Sequence, residues 1–524
     1  MAIEAAQPQR WWPVLFVLAA GAFAARLWAL RHADINLDES TFIIQAGLVA
    51  SGVKLYLGTT CQHMPLDVMA IHPLAALGLL DSPAPYRGLV SVAQLLAAWS
   101  LARSRAFSQA PAWGFAVGIL YLFFYAGLAT LLKGHIYSSY ALAGAAWVAS
   151  FSLLGLPLLV GRTPSNEEAF AGAAAYAVWA LSSPALGLAA LLYLGACAAC
   201  PDMRARTWVA ALCGGSGVLL LEATWLWHFG DLAAWFQQAI IFNATVYPGL
   251  NHEAGPSGLA WGAVIGAYDA AQRLSLAGWL VLALPVALLW RLRSAGARYA
   301  VPTLLMLLSF LLLRVRHFYW KGLPFDCASF AGMGAALFLL VEPLQGRARA
   351  LGLGLTAAVG LLLLGSVAAV ARANPSFDYW GRGKAGSMQQ QFVELRRRLP
   401  EGATLLAIPN SPHYFMLTGL PPAYGLVLYG PVSVALDFPP SGPPRDGNLC
   451  QKMALDPPAL IYDRRDGSMF YHDVATMMPR CVDAVESAQF VRTAWKNWWV
   501  RKDLENVLKG LPNQAGPPWA DQVP

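Results

Sequence analysis

Apolar residues run through this chain in long stretches, separated by short polar segments rich in Arg, Gly or Pro. A hydrocarbon core of roughly 30 Å takes ~20 apolar residues of helix. Reading the runs on that scale, with each Arg cluster placed in the cytoplasm, predicts about eleven spans. They fall at 12–31, 88–102, 113–132, 137–160, 169–181, 185–199, 208–227, 276–290, 301–313, 323–341 and 351–370. With a cytoplasmic amino terminus, Arg10, Arg103, Arg105, Arg162, Arg204, Arg206, Arg291, Arg293, Arg298, Arg347 and Arg349 all lie inside, and the carboxyl terminus lies outside. The first run is long for a signal-peptide core and has no clean small-residue cleavage site before Asp38, so a cleaved leader is not expected.

Three outside segments are too long to be turns. Residues 32–86 hold Phe42, Ile43, Ala46, Val49 and Ala50 at helical spacing, which predicts a helix lying in the membrane interface. The segment after Trp227 carries "GDLAAWFQQAIIFN", a second surface helix by the same reading. Residues 372–524 have the length of a domain. There "QQQFVELRRRL" reads as a helix, and "ATLLAIP", "GLVLYG" and "ALIYD" read as short strands. The expected architecture is therefore an α-helical polytopic membrane domain over 1–371, with an extracytoplasmic α/β domain over 372–524 whose last stretch is disordered.

Composition agrees. The 524 residues are 57% hydrophobic and 12% charged, about half the charge of a soluble domain. The net charge of +7 needs no nucleic-acid partner, because cytoplasmic loops collect Arg and Lys. Of the seven cysteines, Cys197, Cys200, Cys213 and Cys327 fall in or beside apolar runs and read as core residues. Cys450 and Cys481 share the outside domain and an oxidising compartment, which predicts a disulfide between them, against the alternative of two unpaired buried thiols. Cys61 is then the odd thiol.

The chain avoids charge, yet "NLDESTFIIQ" sets Asp38 and Glu39 side by side just past the first span. One reading is local: Asp38 caps the following helix and Glu39 sits in its first turn, both at the positive end of the helix dipole. It does not explain the polar residues that follow, Lys54, Tyr56, Gln62 and His63, and then "MPLDVMAIHPL", which make the loop dense in titratable groups. Ionisable groups at a membrane edge mark functional sites.

The order of these pieces resembles the GT-C class of membrane glycosyltransferases that use lipid-phosphate sugars. That class includes protein O-mannosyltransferases and the bacterial transferases that add aminoarabinose to lipid A. Asp38 and Glu39 match the acidic pair of the family's first outside loop, and His63 with Pro65 match its Lys- or His-Pro-Pro-Leu motif. "FGDLAAWFQQAIIFNATVYP", "RVRHFYWKGLPFDCASFAG" and "MLTGLPPAYG" are similar to a middle loop, an outside turn and a tail segment of the same families. Three positions depart from the pattern. Met64 replaces a Pro, Val53 stands where an acid often closes the helix, and Gln62 replaces a Glu that can hold metal. Gln is a poor ligand, which argues against a divalent metal cofactor.

The resemblance implies an inverting transfer from a polyprenyl-phosphate sugar to a glycan, lipid or protein hydroxyl, at a bacterial inner membrane. Asp38 is then the general base and Glu39 its neighbour, with Arg316, His317, Lys321 and His63 holding the donor phosphate. The bland readings are snorkelling cations at span ends and hydrogen-bonded interfacial histidines. Two other classes compete, a polysaccharide polymerase or ligase using lipid-linked sugar, and a secondary transporter; charges concentrated in loops and not at mid-span disfavour the transporter. The sidedness is testable: alkaline phosphatase fused after Pro524 should be active and a fluorescent protein placed there dark, and the reverse result rejects this topology.

Overall fold

The computed structural model describes residues 11–31, 37–59, 61, 63–80, 82–131, 134, 136–245, 297–313, 323–341, 392–408, 413–425, 427, 449–463, 481–493 and 497–508. In chain order the helices are α1 (Trp11–Ala29), α2 (Leu37–Ala50), α3 (Leu66–Met69), α4 (His72–Ala76), α5 (Ala84–Arg103), α6 (Pro111–Leu131) and α7 (Ser139–Leu159). They continue with α8 (Asn166–Leu181), α9 (Gly187–Ala198) and α10 (Ala205–Phe229). Helix α11 starts at Leu232–Trp235, runs through a π-helical segment Phe236–Ile241 and ends with Phe242–Thr245. Then come α12 (Ala300–Leu312), α13 (Leu323–Val341), α14 (392–398), α15 (His413–Thr418), α16 (Leu449–Leu455) and α17 (Cys481–Gln489).

The chain divides into two units. One comprises Met1–His32, Tyr86–Ala223 and Gly255–Phe377; the other comprises Ala33–Pro85, Thr224–Ala254 and Asp378–Pro524. The second unit thus gathers the loop after α1, the segment after α10 and the tail.

In the first unit, α1, α7 and α10 are each long and apolar enough to cross a bilayer, and the bent pair of α8 with the helix that follows adds a fourth candidate among the described residues. The two short runs around Pro184 form separate helices meeting at 118°. Pro184 cannot continue α8, and it starts the next helical turn instead. Helices α5, α6, α12 and α13 also overlap expected spans, whereas 276–290 and 351–370 lie outside the described residues. The core is aromatic. Trp147 stacks on Phe151, and Tyr193 packs among Trp147, Tyr176 and Trp179.

Loops predicted inside meet one another. Arg105 pairs with Glu168 at 3.0 Å, Arg162 donates to the Arg105 carbonyl at 2.8 Å, and Tyr299 donates to Asp202 at 2.5 Å. Glu168 also completes a capping box with Ser165, which starts α8.

In the second unit the tail forms a sheet in the order β1-β2-β4-β3. Strands β1 (Leu405–Ile408) and β2 (Leu460–Asp463) are parallel, and β2 and β3 (Phe490–Arg492) both pair antiparallel with β4 (Trp498–Arg501). The first two match "ATLLAIP" and "ALIYD". The β3–β4 hairpin escaped the sequence reading because a polar stretch interrupts its apolar runs, and Asn497 turns the chain with φ of 68°. Most of "GLVLYG" and the expected disordered end lie outside the described residues.

Close helix contact in the first unit rests on Gly214 of α10, where a side chain would strike the Phe170 carbonyl of α8, whereas Gly217 one turn on faces open space. Gly214→Val should cost about 1–3 kcal/mol through overpacking and lower the thermal midpoint in detergent. Gly217→Val should leave it unchanged.

Candidate active site

Helix α2 begins at the acidic pair, and Asp38 and Glu39 occupy its first turn. Asp38 is half-buried, while Glu39, Ser40, Thr41, Phe42, Ile43, Gln45 and Ala46 are all buried. This corrects the interfacial-helix expectation. Protein covers α2 on nearly every side, with α3, α4 and α15 against it and Ile44 set into the aromatic core of the sheet domain. A helix whose polar residues Ser40, Thr41 and Gln45 are as buried as its apolar ones cannot float on a bilayer with one face in water. The 3.6-residue pattern showed one apolar face but could not show what covers the other.

The chain leaves α2 through Gly52, whose φ of 96° needs a residue without Cβ. It then makes a compact turn. Leu55 donates to the Phe229 carbonyl at 2.8 Å, and Gly58 donates to the Lys54 carbonyl at 2.8 Å. Tyr56 takes a left-handed φ of 68° and its hydroxyl donates to the His63 carbonyl at 2.6 Å. The His63 ring stands edge-on to Phe42 at 4.9 Å, which holds it against α2 one turn after the acidic pair. Lys54, by contrast, is exposed.

Cys61 lies at the centre of this turn. It is a buried free thiol whose Sγ donates to Gln45 Oε1 at 3.6 Å and to the His63 carbonyl at 3.8 Å. Burial pushes it up to about 12, so the thiol stays protonated and serves as a donor, not a nucleophile. The tail reaches the same turn. At Gly425, with φ of 69°, any Cβ would collide with the Gly58 carbonyl.

Several residues were not anticipated here. Gln45, Cys61 and Gln238 tie the loop, and Asp67 is buried on α3. The doublet of Gln in an otherwise apolar α11 was the one available signal for Gln238. Arg316, His317, Lys321 and Gln62 lie outside the described residues. Cys450 and Cys481 start α16 and α17, which pack together, but their side chains lie outside the described residues. Among the described residues, no group of three or more His, Cys, Asp or Glu is placed to hold a metal ion.

The fold of this chain, with its helical unit and the mixed-sheet tail gathered with α2, is similar to that of a solved membrane protein. ArnT from Cupriavidus metallidurans in the apo state aligns with TM-score 0.51 and 17% identity, over 88% of this chain and 94% of that one. The structure of the same protein bound to undecaprenyl phosphate gives TM-score 0.46 and 16% identity, over 78% and 85%. No family model and no curated protein matches the chain.

His72 of α4 completes the site's periphery. Its Nδ1 accepts from Trp225 Nε1 at 3.2 Å, and its ring meets Phe229 at 4.5 Å. Accepting at Nδ1 requires the neutral ring, and burial lowers its pKa. The unfolded chain then binds the proton more readily, so this contribution to stability is present at neutral pH and is lost as pH falls below the unfolded value of about 6.5. Thermal midpoints compared at neutral and mildly acidic pH should fall on acidification, and His72→Gln should flatten that part of the profile.

Proposed function

We propose that the protein is an inverting glycosyltransferase that moves a sugar from a polyprenyl-phosphate donor to a hydroxyl of an extracytoplasmic glycan, lipid or protein. The observation that carries the reading is the unequal burial of the acidic pair. Asp38 keeps part of its surface accessible at the start of α2, and Glu39 is sealed beneath it. The GT-C fold supports it, as do the sequence motifs whose order follows that of the lipid-donor families.

The donor is already activated by its phosphate, so transfer is displacement at the anomeric carbon. The acceptor oxygen forms the new bond, the bond from carbon to phosphate oxygen breaks, and the phosphate leaves with the electron pair. Asp38 takes the acceptor proton as general base, which its half-accessible position permits. Glu39 acts as its fixed neighbour and orients it. The leaving phosphate needs cationic or hydrogen-bonding groups on the opposite face. His63 is held beside α2 for that role, and Arg316, His317 and Lys321 complete the assignment. A disulfide joining Cys450 to Cys481 belongs to the same reading, because it requires the tail to fold outside the cytoplasm.

Asp38→Asn should lower transfer by about a hundredfold or more, with expression and thermal midpoint unchanged. The measurement is transfer of radiolabel from a panel of polyprenyl-phosphate sugars. Full activity in this variant rejects Asp38 as the base, and solute uptake into liposomes without any lipid donor favours a transporter.

A further inference from the structure

Helix α11 changes its winding over Phe236–Ile241, where a π-helical segment inserts into the helix. Such insertions lower local stability and concentrate at functional positions. Here it falls where Gln238 and Ala239 turn inward while Leu232, Phe236 and Ile241 remain exposed. The Gln238 amide is used at both ends. Its Nε2 donates to the Tyr56 carbonyl at 2.6 Å, and its Oε1 accepts the Cys61 amide hydrogen at 3.0 Å.

One side chain thus bridges both ends of the six-residue stretch "YLGTTC". It fixes the carbonyl of the strained residue at one end and the amide of the buried thiol at the other. The consequence reaches His63, two residues on. The hydroxyl of that same Tyr56 holds the His63 carbonyl, and the Cys61 thiol, seated on Gln45 of α2, reaches it as well. His63 then meets Phe42, which is one helical turn, about 5 Å along the axis, from the acidic pair.

We propose that Gln238 is a positioning residue: its amide clasps the 56–61 turn and so sets the height of His63 against the first turn of α2. The assignment rests on the transferase reading for its effect on catalysis, whereas the clasp itself stands on geometry alone. The bond pattern demands an amide. A carboxylate could accept from the Cys61 N–H but would face the Tyr56 carbonyl with a second acceptor, which is repulsive. An Ala would leave a buried carbonyl and a buried N–H without partners.

Two measurements on the full-length protein separate the clasp from the chemistry. The first is labelling of Cys61 by N-ethylmaleimide, mapped by peptide mass. Wild type should resist, and Gln238→Ala and the isosteric Gln238→Glu should label faster by roughly tenfold or more, because release of the turn exposes the thiol. Continued protection of Cys61 in both variants overturns the proposal whether or not the protein transfers sugar. The second is kinetic. Both variants should lose kcat by about tenfold or more while KM for the lipid donor stays within about threefold.

The Gln238→Ala, His63→Ala double variant should then be no worse than the poorer single one, because both act through the same ring. Losses that multiply overturn positioning through His63. Should Gln238→Ala fold poorly, Tyr56→Phe removes the hydroxyl bond to His63 and leaves in place the Tyr56 carbonyl that Gln238 holds. It should lower kcat without exposing Cys61, and unchanged kcat there overturns the proposal. If wild type transfers nothing from any lipid donor, the transferase reading falls, and the labelling result still decides the clasp.

Discussion

Helix α2 carries two adjacent carboxylates in its first turn and is then covered by protein along almost its whole length. Two like charges side by side repel, and burying one of them adds a desolvation cost that must be met by hydrogen bonds or opposite charge. The helix start offers part of that compensation, since the amide dipoles point their positive ends at the pair. The remainder has to come from surrounding elements held in fixed places, and this requirement organises the second unit. Short helices α3 and α4, the 51–64 turn, helix α15 and the core of the sheet domain all pack on α2 or on the turn that follows it. A helix so enclosed cannot adjust to its neighbours, so the neighbours are fastened to each other by backbone carbonyls, one amide side chain and a thiol. Glycine at 425 lets the tail's backbone approach the Gly58 carbonyl where no side chain would fit.

The first unit solves a different problem with simpler means. Within apolar spans the backbone satisfies itself by helix formation, and association rests on small residues and aromatic surfaces in contact. Polar bonds join this unit both at loop ends, where Arg105, Glu168, Arg162, Asp202 and Tyr299 cross-link neighbours, and between helices, where Gln94 donates to the Ala141 carbonyl and Ser309 to the Ala189 carbonyl. The bend at Pro184 belongs to the same economy. A proline and two serines end one apolar helix and start another, so that a short segment can double back.

Those fastenings also show how far a one-dimensional reading reaches. The spans at α1, α7 and α10 were legible because a membrane imposes a length and a polarity on every helix that enters it, independent of its neighbours. The acidic pair stood out because charge is rare in this chain. Strands β1 and β2 were visible as short apolar runs between turn residues. The β3–β4 hairpin was not, since its pairing depends on β2 already being in place beside β4. Gln238 and Tyr56 touch across 182 positions, a separation at which no periodicity carries information.

By itself, then, the sequence determined which stretches are helical, where the chain is too apolar for water, and that a pair of acids follows the first span. Each of these follows from local propensity or from transfer between water and hydrocarbon, properties that a segment owns alone. Tertiary structure alone decided that α2 is enclosed and not interfacial, that Asp38 keeps access while Glu39 loses it, and that His63 stands against Phe42. Those outcomes depend on which surfaces meet, and a side chain's burial is a property of its neighbours as much as of itself.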